Sequence, residues 1–456
     1  MGRAGSGPSG FLTGRTPMAE TIAITTLGCK ANQFDSQVMR TSLQRSGFEF
    51  IPFPQPADIY IINTCTVTHR ADFQSRQLIR RAHRLNPSSL IVVTGCYAQV
   101  YPEEVRKVEG VGLVLGNGEK ASIGDFLGNP RPGSGTMVSV GDIAREEEIG
   151  DADVDGFSGH TRAFLKIQDG CNASCAYCII PRARGRSRSL DLLRVIHRLQ
   201  RLQERGFREV VLTGIHLGVY GSDLSPSTSL VELCTRIEEN AAPQRIRLSS
   251  IEPADFRPEL IRCIASSPRL CNHLHIPMQS GDDEILRRMK RNYDGQSFAD
   301  LIQTLVRHIP DLNIGVDVIV GFPGEGEKQF RKTYELLEKL DIGYLHVFPY
   351  SRRRGTEAYE FPHQVDPQTK KARCEALRAL DRRKRSAFHR RFIGRELEVL
   401  VEGKRDKHNG RLTGHSRNYI PVLIEGSDDL VNREVRVWVT ALEDGRVAGH
   451  VVGRQP

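Results

Sequence analysis

Cys171, Cys175 and Cys178 stand as C-x3-C-x2-C within residues 169–181, DGCNASCAYCIIP. At this spacing three thiolates converge readily on one point. A [4Fe-4S] cluster usually takes four cysteines, so three leave one iron open. An open iron can chelate a small molecule and pass it one electron. That chemistry suits an unactivated C–H bond, which ordinary acid–base groups do not open and a cofactor must attack. A structural zinc ion asks for four ligands, commonly as paired C-x2-C units. No second pair follows the triplet at zinc-finger distance.

A second set of thiols is spread along the first hundred residues. TIAITTLGC ends at Cys29, DIYIINTC at Cys65 and SLIVVTGC at Cys96, 36 and 31 residues apart. Each is a short β-branched run that reads as a buried parallel strand, and each precedes a helical stretch. In an open parallel sheet ligands collect outside the carboxyl ends of the strands. A single free cysteine there would pass for a small buried hydrophobe; the same placement in three successive units favours a ligand set. Asn32, Asn63 and Thr64 flank these cysteines and could donate hydrogen bonds to a charged cluster or a substrate. Gly110, Gly112 and Gly116 lack the spacing of a dinucleotide fingerprint and read as a turn and a last strand.

The elements that must position these groups fall into three units, bounded by composition. The 456 residues are 39% hydrophobic and 26% charged, with a formal net charge of +9, a globular composition able to bury a large core without disulfides. No run approaches the ~18 apolar residues of a membrane span. Residues 1–19, Gly/Ser-rich and basic, read as a disordered lead, and the start could be Met1 or Met18. Residues 20–130 read as a parallel α/β domain and 131–158, turning acidic, as a linker. Over 159–390 six strand–helix units predict a partial parallel (β/α) barrel with its site at the strand carboxyl ends. Short strands over 391–456 predict a small antiparallel β-barrel. Ten cysteines in a chain without a secretory signal point to a reducing, cytoplasmic setting.

The triplet, with the aromatic Tyr177 before its last cysteine, resembles the radical S-adenosylmethionine enzymes. The resemblance extends over residues 21–453 to their methylthiotransferase family, through TLGCKANQFDS, INTC, TGCYAQ, HIPMQSGDDEIL and VDVIVGFPGE. GRLTGHSRNYIPV is similar to the TRAM RNA-binding barrel. TLGCKANQFDS, HIPMQSG and HVFPYSRRRGT look most like the branch that acts on threonylcarbamoyladenosine in tRNA, although Arg352 to Arg354 follow Ser351 without the proline of the family pattern. The resemblance implies two [4Fe-4S] clusters, one on Cys171, Cys175 and Cys178 and one on Cys29, Cys65 and Cys96. It implies that one S-adenosylmethionine methylates a sulfur held at the second cluster and that another yields a 5′-deoxyadenosyl radical, which takes hydrogen from adenine C2. Both clusters must then face a shared cavity. The partners implied are tRNA and an electron donor of flavodoxin or ferredoxin type, with no membrane, for a monomeric enzyme. The alternatives are action on isopentenyladenosine or on a ribosomal-protein aspartate, or RNA binding with purely structural clusters.

Beyond the cysteines, Tyr177 and the strand-end residues Thr213, Gly214, Ser249, Gln279, Gly321 and Pro323 are candidate contacts for S-adenosylmethionine, or ordinary turns. Arg182, Arg184, Arg186 and Arg188, with the basic stretch 370–391, suggest phosphate binding. Tyr419 could stack a base or fill the last barrel, and Trp438 reads as core. His273 and His275 share a strand face and read as satisfied core groups. Cys234, Cys263, Cys271 and Cys374 lack metal spacing and read as structural.

Overall fold

The computed structural model describes residues 20–128, 135–150 and 161–453. The lead over 1–19 and parts of the expected linker lie outside these residues. The first domain is a parallel sheet of β1 (Thr21–Thr26), β2 (Glu49–Phe50), β3 (Ile59–Thr64), β4 (Leu90–Gly95), β5 (Val111–Leu115) and β6 (Met137–Ser139), in the order β2-β1-β3-β4-β5-β6. β3 and β4 are buried throughout, as a parallel strand covered on both faces must be. Alternation divides their side chains. Ile59 and Ile61 pack with Met39 and Leu43 of helix Lys30–Arg45, whereas Tyr60 and Ile62 pack with Ile79 and Ala82 of helix His69–Leu85. Part of the expected linker proves structured. Residues 137–139 add to β5 as the sixth strand, because Leu113 to Leu115 offer an unpaired parallel edge.

The second domain contains β7 (Arg162–Lys166), a short antiparallel ribbon of β8 (Gln168–Asp169) and β9 (Arg188–Ser189), then β10 (Glu209–Thr213), β11 (Arg245–Leu248), β12 (His273–Gln279), β13 (Asn313–Val320) and β14 (Tyr344–Pro349). β7, β10 and β11 form one parallel ladder and β12, β13 and β14 another. Hydrogen bonds from Cys271 N–H to Ile246 O (2.8 Å) and from Ile251 N–H to His275 O (3.1 Å) join the two. Among the described residues no ladder connects β14 to β7, so the barrel is partial. The first domain spans this seam. Phe34 and Val38 enter the barrel core on the β7 side. On the β14 side His69 N–H bonds Ser351 Oγ (3.0 Å) and Arg353 pairs with Asp72 (2.7 Å).

The basic stretch after the barrel is a long helix, Pro367–Arg390. Cys374, Leu377 and Leu380 bury one side of it in the barrel, and Phe388 anchors its end in the last domain. That domain is a closed barrel of β15 (Glu396–Arg405), β16 (Leu412–Ser416), β17 (Pro421–Glu425), β18 (Glu434–Glu443) and β19 (Arg446–Val451). Four of its five strand pairings are antiparallel, as the sequence predicts, and the fifth is parallel. The β18–β19 hairpin slots β19 beside β17, and those two strands run parallel. Trp438 is 41% exposed rather than core, because Val437 and Val439 take the inward positions of β18. The turn 416–420 docks on the amino-terminal ends of the larger barrel's strands. Arg247 bonds Arg417 O (2.9 Å), Asn313 bonds Asn418 O (2.8 Å), and the Tyr419 ring lies 4.7 Å from that of His273. Buried Glu209 anchors the joint by accepting from Arg245 (2.7 Å) and Arg247 (2.9 Å).

Candidate active site

The cysteine triplet occupies the loop between β8 and the helix Ile180–Arg184. Gly170 opens that loop with φ +70, and a Cβ there would lie 1.9 Å from Arg186 O, so only glycine lets the two strands of the loop pass. The loop is pinned by Cys171 N–H to Gly185 O (3.1 Å), Ala176 N–H to Met289 O (3.1 Å) and Ala358 N–H to Ala176 O (2.8 Å). Burial, with the charges of Cys175 and Cys171 adding to it, pushes the Cys178 thiol up to about 12. Two cations that sequence reading missed attend the other thiols. His216 Nδ1 lies 3.7 Å from Cys171 Sγ and its Nε2 2.8 Å from Asp255. Burial disfavours the His216 imidazolium, but the bonds to Asp255 and Cys171 outweigh it and raise the group to about 10. Arg291 Nη1 donates to Cys175 Sγ (3.3 Å) and also pairs with Glu252.

Cys29, Cys65 and Cys96 lie together at the carboxyl edge of the first sheet. A Cβ on Gly28, φ +99, would approach Cys65 Cβ to 2.8 Å, and one on Gly95, φ +97, would meet Thr64 O at 2.4 Å. Burial, then the like charges of Cys96 and Cys29, push the Cys65 thiol up to about 12. The neighbouring amides serve the backbone rather than donating to a cluster or substrate. Asn32 Nδ2 bonds Leu27 O (2.8 Å) and Thr64 O (2.9 Å), Asn63 Nδ2 bonds Asn32 O (2.9 Å), and Thr64 Oγ1 bonds Thr94 O (2.5 Å). Three of those carbonyls lie at strand ends and Asn32 O in the first turn of helix Lys30–Arg45, so the side chains fix the loops that carry the thiols.

Each trio is a soft donor set with one deeply buried thiol, Cys65 or Cys178, whose ionisation is opposed by burial and by its neighbours' charges, an opposition that bound iron would relieve. Each also supplies three sulfurs where a cubane takes four ligands. The residues therefore fit two [4Fe-4S] clusters with an open iron apiece.

Arg184 links the trios. It is 1% exposed, donates to Asp169 (2.8 Å), Asp35 (3.1 Å) and Asn32 Oδ1 (2.6 Å), and feels the charges of Cys96 and Cys29. Lys166 adds bonds to Asp35 (2.5 Å) and Asp169 (2.7 Å), and Lys120 one to Asp35 (2.9 Å). Three buried cations thus meet two carboxylates, leaving a net positive charge beside sulfurs that would be negative. Of the four alternating arginines, Arg184 and Arg188 are buried and structural, not free for phosphate. Arg188 donates to Glu146 O (3.2 Å) and Arg184 O (3.0 Å).

A cavity of about 340 Å³ lies between the two domains, lined by Val67, Thr68, Tyr177, Cys178, Gln279 and Asp317 among others. Tyr177 and Gln279 thus share one space with the triplet. Gln279 sits at φ +65 beyond a register shift in β12. Thr213, Gly214 and Ser249 group at the other edge, where Gly214 N–H bonds Ser249 Oγ (3.3 Å). Gly321 N–H bonds Glu325 Oε1 (2.8 Å), and Pro323 is buried in the turn that follows. Along β12 to β14, His275 and the half-exposed His346 flank Asp317 at 2.8 and 3.3 Å, and buried His273 bonds Tyr344 Oη (2.8 Å).

Residues 21–116 match the family described as Uncharacterized protein family UPF0004, 165–337 the Radical SAM superfamily and 390–452 the TRAM domain. The chain is 40% identical to the threonylcarbamoyladenosine tRNA methylthiotransferase MtaB of Bacillus subtilis, over 92% of this chain and 93% of that one. It is 40% identical to MtaB of Aquifex aeolicus, over 92% and 100%. A tRNA-2-methylthio-N(6)-dimethylallyladenosine synthase of Moorella thermoacetica is 33% identical over 95% and 98%. Among solved structures, the radical S-adenosylmethionine methyltransferase TsrM of Kitasatospora setae superposes with a TM-score of 0.54 at 16% identity, over 75% and 77%, a likeness of fold. Three domains in this order and identity along nearly the whole length agree: the chain belongs to the radical S-adenosylmethionine methylthiotransferases, in the branch of the threonylcarbamoyladenosine tRNA enzymes.

Proposed function

We propose that this enzyme transfers a methylthio group to C2 of N6-threonylcarbamoyladenosine beside the anticodon of tRNA, consuming two molecules of S-adenosylmethionine and carrying two [4Fe-4S] clusters. What supports this reading is that the loop after Cys65, through Val67 and Thr68, and the loop bearing Cys178 line one interdomain cavity. Cys171, Cys175 and Cys178 would hold the cluster that binds S-adenosylmethionine, and Cys29, Cys65 and Cys96 the one that presents sulfur. When bound, the first supplies one-electron reductive cleavage of a sulfonium, the step that side chains cannot perform.

The chain's own residues do the rest. His216 and Arg291 place positive charge against two of the triplet's sulfurs. Tyr177, Gln279, Thr213, Gly214, Ser249, Gly321 and Pro323 are the surfaces for S-adenosylmethionine. Arg184, held by Asp169 and Asp35, sets the first domain against the barrel so that both trios face the same substrate. The units 20–130, 159–390 and 391–456 divide the work into sulfur presentation, radical generation and RNA holding. Electrons come from a flavodoxin- or ferredoxin-type donor, and the enzyme acts as a cytoplasmic monomer. No described helix is long and apolar enough to cross a membrane.

Mass spectrometry of tRNA nucleosides from a deletion strain tests the function. The methylthio form of threonylcarbamoyladenosine should vanish and return with the gene. Loss of the isopentenyladenosine form instead would reassign the substrate.

A further inference from the structure

The carboxylate of the substrate has no assigned receptor, and one side chain is placed to be it. Lys30 is the first residue of helix Lys30–Arg45, directly after Cys29. Lys30, Phe34 and Val38 follow one another at i, i+4 and i+8 and so share a helix face. Phe34 and Val38 belong to the barrel core, so this face, and the lysine with it, is turned into the barrel. There its charged neighbours are Tyr419, Arg247, Arg162 and Glu209. All four are engaged elsewhere. Arg162 pairs with Glu402 (3.1 Å), Arg247 with Glu209 (2.9 Å), Glu209 also with Arg245 (2.7 Å), and Tyr419 lies under Arg247 and against His273. Among the described residues Lys30 itself has neither hydrogen bond nor ion pair. Lys30 is partly buried, and a cation withdrawn in this way is normally paired. Lys30, Arg162 and Arg247 together outnumber the carboxylate of Glu209 among them, so the place attracts an anion.

We propose that Lys30 binds the carboxylate of the threonylcarbamoyl group. This rests on the substrate reading above. The substituent on N6 ends in a carboxylate, and an isopentenyl group carries none. A lysine one residue from Cys29 anchors that end of the nucleoside while C2 faces the trio to which Cys29 belongs. The charge-assisted bond satisfies the lone ammonium and makes the carboxylate a condition for tight binding.

The test uses the reconstituted full-length enzyme and an anticodon stem-loop RNA bearing threonylcarbamoyladenosine, either as the free acid or as its methyl ester. For the natural enzyme kcat/KM should fall about 100-fold or more on esterification, through KM. For Lys30→Met the acid should react as poorly as the ester, the ratio between them shrinking to about threefold or less, and Lys30→Arg should restore part of it. Iron content and the cluster's electron paramagnetic resonance signal are measured on each variant, because Cys29 is adjacent. Equal handling of acid and ester by the natural enzyme overturns the proposal whatever the variants do, and so does an undiminished ratio in Lys30→Met. An enzyme that leaves the free acid unmodified would instead refute the substrate reading.

Discussion

Asp35 is the point at which the first domain is held to the barrel, and removing its carboxylate should loosen helix Lys30–Arg45 more than any surface change. The side chain accepts from Lys166 at 2.5 Å, Lys120 at 2.9 Å and Arg184 at 3.1 Å, all buried. Asp35→Ala leaves three cations with Asp169 alone. Breaking a buried ion pair from one side costs about 3–5 kcal/mol, because the partner's charge stays desolvated. At about 1.4 kcal/mol per decade, 3 kcal/mol corresponds to roughly 150-fold more frequent opening. Amide hydrogen exchange reads this directly: helix Lys30–Arg45 should exchange at least about 100-fold faster while β16 to β19 stay unchanged. Glu103→Ala, which removes an exposed pair with Arg106 (3.4 Å), is the control and should change exchange by less than about fivefold. The same reasoning fixes the pH response. Burial raises the Asp35 carboxyl, but Lys120, Lys166 and Arg184 outweigh it and hold the group well below the ordinary carboxylate range. Its contribution is therefore complete above about pH 4 and is lost as pH falls further. Exchange in Asp35→Ala that matches the Glu103→Ala control would refute the view that this network bears the domain contact.

Other outcomes follow from the same geometry. Replacing Cys171, Cys175 and Cys178 together by Ala should leave about four irons per chain and abolish 5′-deoxyadenosine formation. Replacing Cys29, Cys65 and Cys96 should also leave about four, yet keep that formation while ending methylthiolation. Glu209→Gln should weaken docking of the last domain by about 3 kcal/mol, read from the fluorescence of Trp438, the sole tryptophan, during urea unfolding. Burial holds His389 down at about 4, with its Nδ1 bonded to Gly445 O (2.9 Å). Unfolding then takes up a proton between about pH 4 and 6.5, so stability should rise with pH across that window, and His389→Gln should flatten the slope by one proton. An identical slope in both proteins would remove the histidine from the account.

The thiol trios were legible because both signals are local. A C-x3-C-x2-C needs one loop, and parallel strands return their carboxyl ends to one edge at each repeat of about thirty residues. What stayed hidden depends on partners distant in sequence. His216 and Arg291 reach Cys171 and Cys175 from 45 and 116 residues away, with nothing beside them in the chain to mark the role. The alternating arginines misled for a similar reason. Their alternation treated all four alike, but Asp35 and Asp169 turn Arg184 inward, and Glu146 O and Arg184 O hold Arg188. Helix Pro367–Arg390 was masked by its own charge, since its apolar contacts are few and widely spaced.

The seat of Tyr419 has a wider consequence. The small TRAM barrel is not a handle loosely tied to a finished enzyme: its turn plugs the amino-terminal mouth of the larger barrel, with Tyr419 against His273 and under Arg247. Truncating the chain before residue 391 would uncover that mouth and leave Arg245 and Arg247 without the carbonyls of residues 415–417 that they bond. The two barrels thus share one buried seam, and a change on either side of it has to be matched on the other.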